Sequence, residues 1–206
     1  MIEEILTKLE NLPEIQKGKE VWQNKFHKYN VFEHTMKYVE FLKTKTDDPN
    51  LLVAGMLHDI GKPVVATPKI GEYNEEGKQY HKFTDHEKIG GEMVKDMDPE
   101  LFKQYGLDQE KIAGLVSHHY TPMLKIKELR KAEDLEEFEK TYQSLEQNLE
   151  ETGLDKNEIM LMFLADSISK GGSADQPELI KVYELMVENK GSMQEIHELQ
   201  KATYKK

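Results

Sequence analysis

Apolar residues recur at three- and four-residue steps along nearly the whole chain, the spacing of helices that bury one face. Ile2, Ile5, Leu6 and Leu9 predict a short helix over 2–11, broken by Pro13 and Gly18. Residues 21–30 hold Trp22, Phe26 and Tyr29 with no period and read as an irregular lead-in. Val31, Tyr38, Phe41 and Leu42 form the stripe of an amphipathic helix over 31–45, followed by a turn at Asp47-Asp48-Pro49-Asn50. Residues 51–60 are almost entirely apolar, which predicts a short helix buried on most sides and ended by Gly61 and Pro63.

From 62 to 83 the helical period disappears. Two prolines, two glycines and mixed charges predict a long loop, with room for a small hairpin between Gly71 and Gly77. Loops of that length in compact domains are usually functional or disordered. Thr84 followed by Glu87 fits a capping box, so the next helix is expected from 85 to about 97, with Asp98-Pro99 interrupting. Further helices are expected over 108–119, stopped by Pro122, over 133–152, over 155–170 and over 177–203, the last broken near Gly191. Leu135, Phe138, Tyr142, Leu145 and Leu149 make a narrow seam. It serves either packing within the domain, its ordinary use, or a homodimer contact. With no strand alternation and no internal repeat, the pattern predicts an all-α fold in one domain over 1–206.

Composition narrows the partners. The 206 residues carry a formal net charge of −11, which repels long phosphate backbones and argues against duplex DNA. A small phosphorylated substrate fits better, with a short RNA end still open. There is no cysteine, so any metal must be held by His, Asp, Glu or carbonyl oxygen. The start, Met1-Ile2-Glu3-Glu4, lacks the basic and apolar regions of a signal peptide. No run approaches the ~18 apolar residues of a membrane span. The expectation is a cytoplasmic protein with no membrane partner.

Candidate chemistry sits where packing alone would not put it. His34 falls on the buried stripe between Val31 and Tyr38, and His58 lies on the face of Leu51, Ala54 and Gly55, followed at once by Asp59. His118 and His119 close the helix of Ile112, Leu115 and Val116. Asp166 shares a face with Ile159, Met162 and Phe163. A carboxylate on an apolar face is costly unless paired or metal-bound. A bidentate arginine partner is scarce, since Arg130 is the chain's one arginine.

The order of these residues and their local strings, Val31-Phe32-Glu33-His34-Thr35, Leu57-His58-Asp59-Ile60-Gly61-Lys62, Phe83-Thr84-Asp85-His86 with Gly90, Val116-Ser117-His118-His119 and Leu164-Ala165-Asp166, resemble the HD superfamily. The likeness is closest to the HD domains of bacterial tRNA nucleotidyltransferases and their stand-alone relatives, over a core of about 27–172, with the helices of 173–206 packing on it. The 206 residues are too few to be expected to hold a nucleotidyltransferase domain as well.

The resemblance implies a helical bundle with the long loop near a metal site. His34, His58, Asp59 and Asp166 would hold one ion. His86 and one of His118 and His119 would hold a second, bridged by Asp59. Spacing does not decide between the two neighbours, and the family pattern leans to His118. Imidazole and carboxylate ligands suit Mn, Fe, Co, Ni or Zn, and Mg less well. Two such ions about 3.5–4 Å apart clamp a phosphoryl group.

The function implied is hydrolysis of a small phosphoester, a nucleotide or 2',3'-cyclic phosphate, through a metal-activated hydroxide. Asp59 is central to it, and Lys62 is placed to touch phosphate or to complement a helix end. An HD-fold di-iron oxygenase and a non-catalytic nucleotide-binding module are the competing classes. His27 and His81 are open between a substrate role and none. Gly90 and Gly91, each costing about 1 kcal/mol in a helix relative to alanine, suggest close helix packing near the site.

Overall fold

A computed structural model describes residues 2–171, 177–188 and 190–204; for 177–180, 203 and 204 it describes the backbone alone. Helix α1 (Ile2–Glu10) and the short α2 (Pro13–Gln16) lead through a 3-10 turn at Lys17–Glu20 into irregular chain. The bundle follows as α3 (Val31–Leu42), α4 (Pro49–Leu57) and α5 (Lys62–Val65). A hairpin of β1 (Thr67–Tyr73) and β2 (Gln79–Lys82) projects next. Then come α6 (His86–Lys95), α7 (Pro99–Lys103), α8 (Gln109–His118), α9 (Pro122–Leu129), α10 (Leu135–Glu150), α11 (Lys156–Ser169), α12 (Pro177–Val187) and α13 (Met193–Tyr204). The fold is helical, as the spacing predicts, and its one small sheet among the described residues is the antiparallel hairpin. The end of the motif core at 172 and the following stretch to 176 lie outside the described residues.

Local chemistry sets the helix starts. Asn30 and Glu33 form a reciprocal capping box on α3. Asp48, Asp98, Asp108, Asp134 and Asp155 cap five further helices with their carboxylates. The box expected at Thr84 is absent. Asp85 instead takes a left-handed conformation (φ 56°) and makes no side-chain cap. That turn accompanies a bond from the His86 ring to the Phe83 carbonyl. Pro122 does follow the end of α8, but it also opens α9, a helix the periodicity missed, because proline is preorganised for the first helical turn.

The core explains the site's position. Helix α3 lies between α4 and α11, and α6 packs along α8. Tyr38, fully buried, donates its hydroxyl to the Met162 carbonyl at 2.8 Å, tying α3 to α11. Phe138, Tyr142, Leu145 and Leu149 are buried against the chain's own α9, α11 and α13, so the seam serves internal packing. Among the described residues no helix is long and apolar enough to cross a membrane.

Three glycines let the motif-bearing segments close on one another. A Cβ on Gly61 would stand 2.3 Å from the His86 carbonyl oxygen and 2.8 Å from the Gly90 nitrogen. One on Gly91 would strike Ser117 Oγ at 1.8 Å, and one on Gly90 would meet Val116 Cγ1 at 3.1 Å. The close packing suggested by Gly90 and Gly91 is therefore that of α6 on α8 and on the turn after α4.

Candidate metal centre

Each site residue sits at the end of, or within, an element that the core holds rigidly. His34 is on α3 and Asp166 on α11, while His58 and Asp59 occupy the turn after α4. His86 opens α6, and His119 is the residue after α8. All six are buried.

The geometry centres on Asp59. Its Oδ2 lies 3.5 Å from His34 Nε2 and 3.1 Å from His58 Nε2. Its Oδ1 lies 3.5 Å from His86 Nε2 and 3.9 Å from His119 Nε2. Asp166 Oδ1 adds to the first pair, 3.2 Å from His34 Nε2. One carboxylate thus faces two histidine pairs, one with each oxygen. Two donor groups follow, His34–His58–Asp59 and Asp59–His86–His119, with one donor atom of each member within 4.8 Å of the others.

The imidazoles are oriented by their far nitrogens. Nδ1 donates to a backbone carbonyl in His58 (Gly55, 2.8 Å), His86 (Phe83, 3.0 Å) and His119 (Val116, 2.7 Å). A carbonyl only accepts, so the proton is on Nδ1 and the Nε2 lone pair points inward. His34 reaches the same state differently. Ser169 Oγ donates to the Asp166 carbonyl at 3.2 Å, which leaves its lone pairs to accept from His34 Nδ1 at 3.1 Å. Tyr38 stacks on His58 at 3.9 Å and fixes that ring's plane.

The charges agree with a ligand set. Burial would raise the Asp59 carboxyl, but His58, Lys62 and His34 outweigh it and hold it well below the usual carboxylate range. Burial acts likewise on Asp166 and is outweighed by Lys170 and His34. Burial, then His58 and His86, pushes the His119 imidazole down to about 3. It therefore keeps a free lone pair at neutral pH. Burial lowers His34 and, helped by Lys62, His86.

The residues fit a bound cation. Asp59 Oδ1 is buried and accepts no hydrogen bond. Lys62 Nζ stands 2.6 Å from Asp59 Oδ2, and Lys170 Nζ 2.5 Å from Asp166 Oδ2. These ammonium groups pair with one oxygen of each carboxylate, which leaves Asp59 Oδ1 facing imidazole nitrogens alone. Four imidazoles and two carboxylates, with no thiolate, make a donor set for a divalent transition metal.

The structure also sorts the other candidates. Between the neighbours left open by spacing, His119 faces Asp59, whereas His118 is half-exposed, 3.3 Å from Thr121 Oγ1, and in neither donor group. Lys62 is not a solvated helix-end lysine; it is 5% exposed and also donates to Gln23 Oε1 at 2.6 Å. His81 stands on β2 and donates to the Trp22 carbonyl at 2.9 Å, away from the donor groups. Gln23, Tyr120 and Lys170 were not singled out from the sequence. Only Lys170 left a signal, as a base four residues after Asp166 on the same helical face.

Above the cluster opens a cavity of ≈ 220 Å³. Its wall includes Lys62, Lys69, Lys82, Lys170, Phe83 and Tyr120, so a strongly acidic protein presents a locally basic mouth here.

The family model for the HD domain matches residues 29–171. A curated relative, the A-adding tRNA nucleotidyltransferase of Deinococcus radiodurans, is 33% identical over 112 residues, which cover 52% of this chain and 24% of that protein. The match thus spans about a quarter of that relative's length.

Proposed function

The chain belongs to the HD-domain family, and on that premise we propose that it is a metal-dependent phosphohydrolase acting on a small phosphoester. The observation that carries this reading is Asp59, whose two buried oxygens each face a separate pair of imidazole nitrogens.

His34, His58, Asp59 and Asp166 would hold one divalent ion, and Asp59, His86 and His119 a second. Bound there, the ions supply an activated water nucleophile and positive charge against the phosphoryl oxygens. The rest is done by this chain's own groups. The Nδ1 hydrogen bonds hold each imidazole with its lone pair inward, so little reorientation is needed at binding. Lys62 and Lys170 line the cavity as well as touching the carboxylates, and an ammonium displaced from a carboxylate remains within the wall to meet a phosphate. Phe83 and Tyr120 offer ring faces for a base or other flat leaving group.

Cavity size and charge favour a small substrate. About 220 Å³ accommodates one small ester or the terminus of a longer one. The net charge of −11 disfavours long polyanions away from the basic mouth. A short RNA end is the second reading, favoured by similarity to a protein named for tRNA.

The test is a panel of nucleoside monophosphates, 2',3'-cyclic phosphates and simple phosphoesters, assayed with Mn, Co, Ni and Zn. The reading expects metal-dependent turnover of at least one class, abolished in Asp59→Ala. No turnover with both sites loaded would overturn it, and oxygen consumption by an iron-loaded protein would replace it with an oxygenase.

A further inference from the structure

Beside the six residues of the cluster lies another buried imidazole nitrogen that no hydrogen bond reaches, Nε2 of His27. Its position is built. The His27 amide donates to the Asn24 carbonyl at 2.9 Å, Lys28 N donates to the Lys170 carbonyl at 2.8 Å, and His27 pairs by a β-bridge with Gly171. The lead-in segment is thereby clipped to the end of the helix that carries Asp166. Gly171 permits this contact, because it sits at φ 58° and a Cβ there would lie 2.5 Å from the Tyr29 ring.

The His27 ring is prepared as the cluster's rings are. Its Nδ1 lies 2.9 Å from Asn24 Oδ1, and the same oxygen accepts from the Phe26 amide at 3.0 Å. That oxygen is therefore the acceptor, Nδ1 carries the proton, and Nε2 presents a lone pair. One donor atom each of His27, His34 and Asp166 lies within 4.8 Å of the others. His81 shares the Nδ1 device but lies in no such group, so proximity is what distinguishes His27.

We propose that His27 is an additional metal ligand, completing the His34 and Asp166 side of the centre with a third imidazole. The proposal extends the metal-centre reading. A divalent ion taking His27 Nε2 would compete with the Lys170 ammonium for Asp166, which lies beside both.

The experiment titrates the chelated, full-length protein with Co²⁺, following stoichiometry, affinity and the visible absorption bands, for wild type and His27→Ala. The expected result is affinity lower by about tenfold or more, or one ion fewer, with altered bands. Unchanged titration with a raised KM for a phosphoester would make His27 a substrate contact and overturn the proposal. Unchanged titration and unchanged kinetics would make it a packing residue and overturn the proposal equally. If His27→Ala does not fold, Asn24→Ala keeps the imidazole but frees its ring. A smaller affinity loss is then expected, and wild-type affinity would overturn the proposal. Wild type that binds cobalt but cleaves no phosphoester would sink the hydrolase reading alone.

Discussion

Replacing Gly61 by alanine tests whether the site's geometry depends on the closeness of two backbone segments. The added Cβ would lie 2.3 Å from the His86 carbonyl oxygen, 2.8 Å from Gly90 N and 3.2 Å from His86 C. All three atoms belong to backbone, so no flexible side chain can give way. Ordinary contact requires the start of α6 to retreat by about 1 Å, a strain of about 3 kcal/mol at the upper end of typical overpacking costs. With a urea slope of about 2 kcal/mol/M, the unfolding midpoint should fall by about 1.5 M. The same retreat draws His86 Nε2 from its 3.5 Å approach to Asp59 Oδ1. Ion binding by Asp59, His86 and His119 should weaken, while the His34 side persists. Gly114→Ala is the control: its Cβ meets only the tip of Leu154 at 3.2 Å, and its effect should stay under about 1 kcal/mol. Gly61→Ala within about 0.5 kcal/mol of wild type, with metal content intact, would refute the reasoning.

Other outcomes follow from the same geometry. His119→Ala should lower metal content per chain while His118→Ala leaves it unchanged, since only His119 faces Asp59; equal effects by elemental analysis would contradict this. Adding a divalent ion at about a thousand times its Kd should stabilise the chelated protein by about 4 kcal/mol, read as a Tm rise of roughly 10 °C; an unmoved Tm would count against binding to the folded state. The chelated protein should also lose stability in mild acid. His119 is held at about 3 when folded but titrates near 6.5 when unfolded, so the unfolded chain takes up the proton first as pH falls below 6.5. From pH 7 to pH 5 this costs about 2 kcal/mol. His34, His86 and His27, lowered by burial, act with the same sign, and urea unfolding at the two pH values in chelator checks it.

Much of this was legible in the sequence because helical period and ligand order are both local signals. The stripe of Val31 and Tyr38 placed His34 inward, and the face of Ile159, Met162 and Phe163 did the same for Asp166. The hairpin between Gly71 and Gly77 could be anticipated from its glycines, which take φ of 80° and 75°. Other features depended on contacts between distant segments. His118 and His119 differ by one step at a helix end, and only the packing of α8 on α6 decides which ring faces Asp59. Pro122 reads as a stop in one dimension, although proline is equally suited to open α9. The capping signal assigned to Thr84 gave way to a turn in which Phe83 accepts from the His86 ring. A box of the same spacing forms instead at Asn30 and Glu33, which the sequence reading passed over. His27 was visible as a residue, but its role depends on a clip to Gly171, 144 positions along the chain.

The most direct test of the central claim is metal content per chain, measured by elemental analysis on protein purified without chelator and again after reconstitution with Mn, Co or Zn. The account expects about two transition-metal ions per wild-type chain and fewer in Asp59→Ala, because two of the three donor groups use that carboxylate. A wild-type chain that binds no ion, or an Asp59→Ala chain that keeps both, would contradict it.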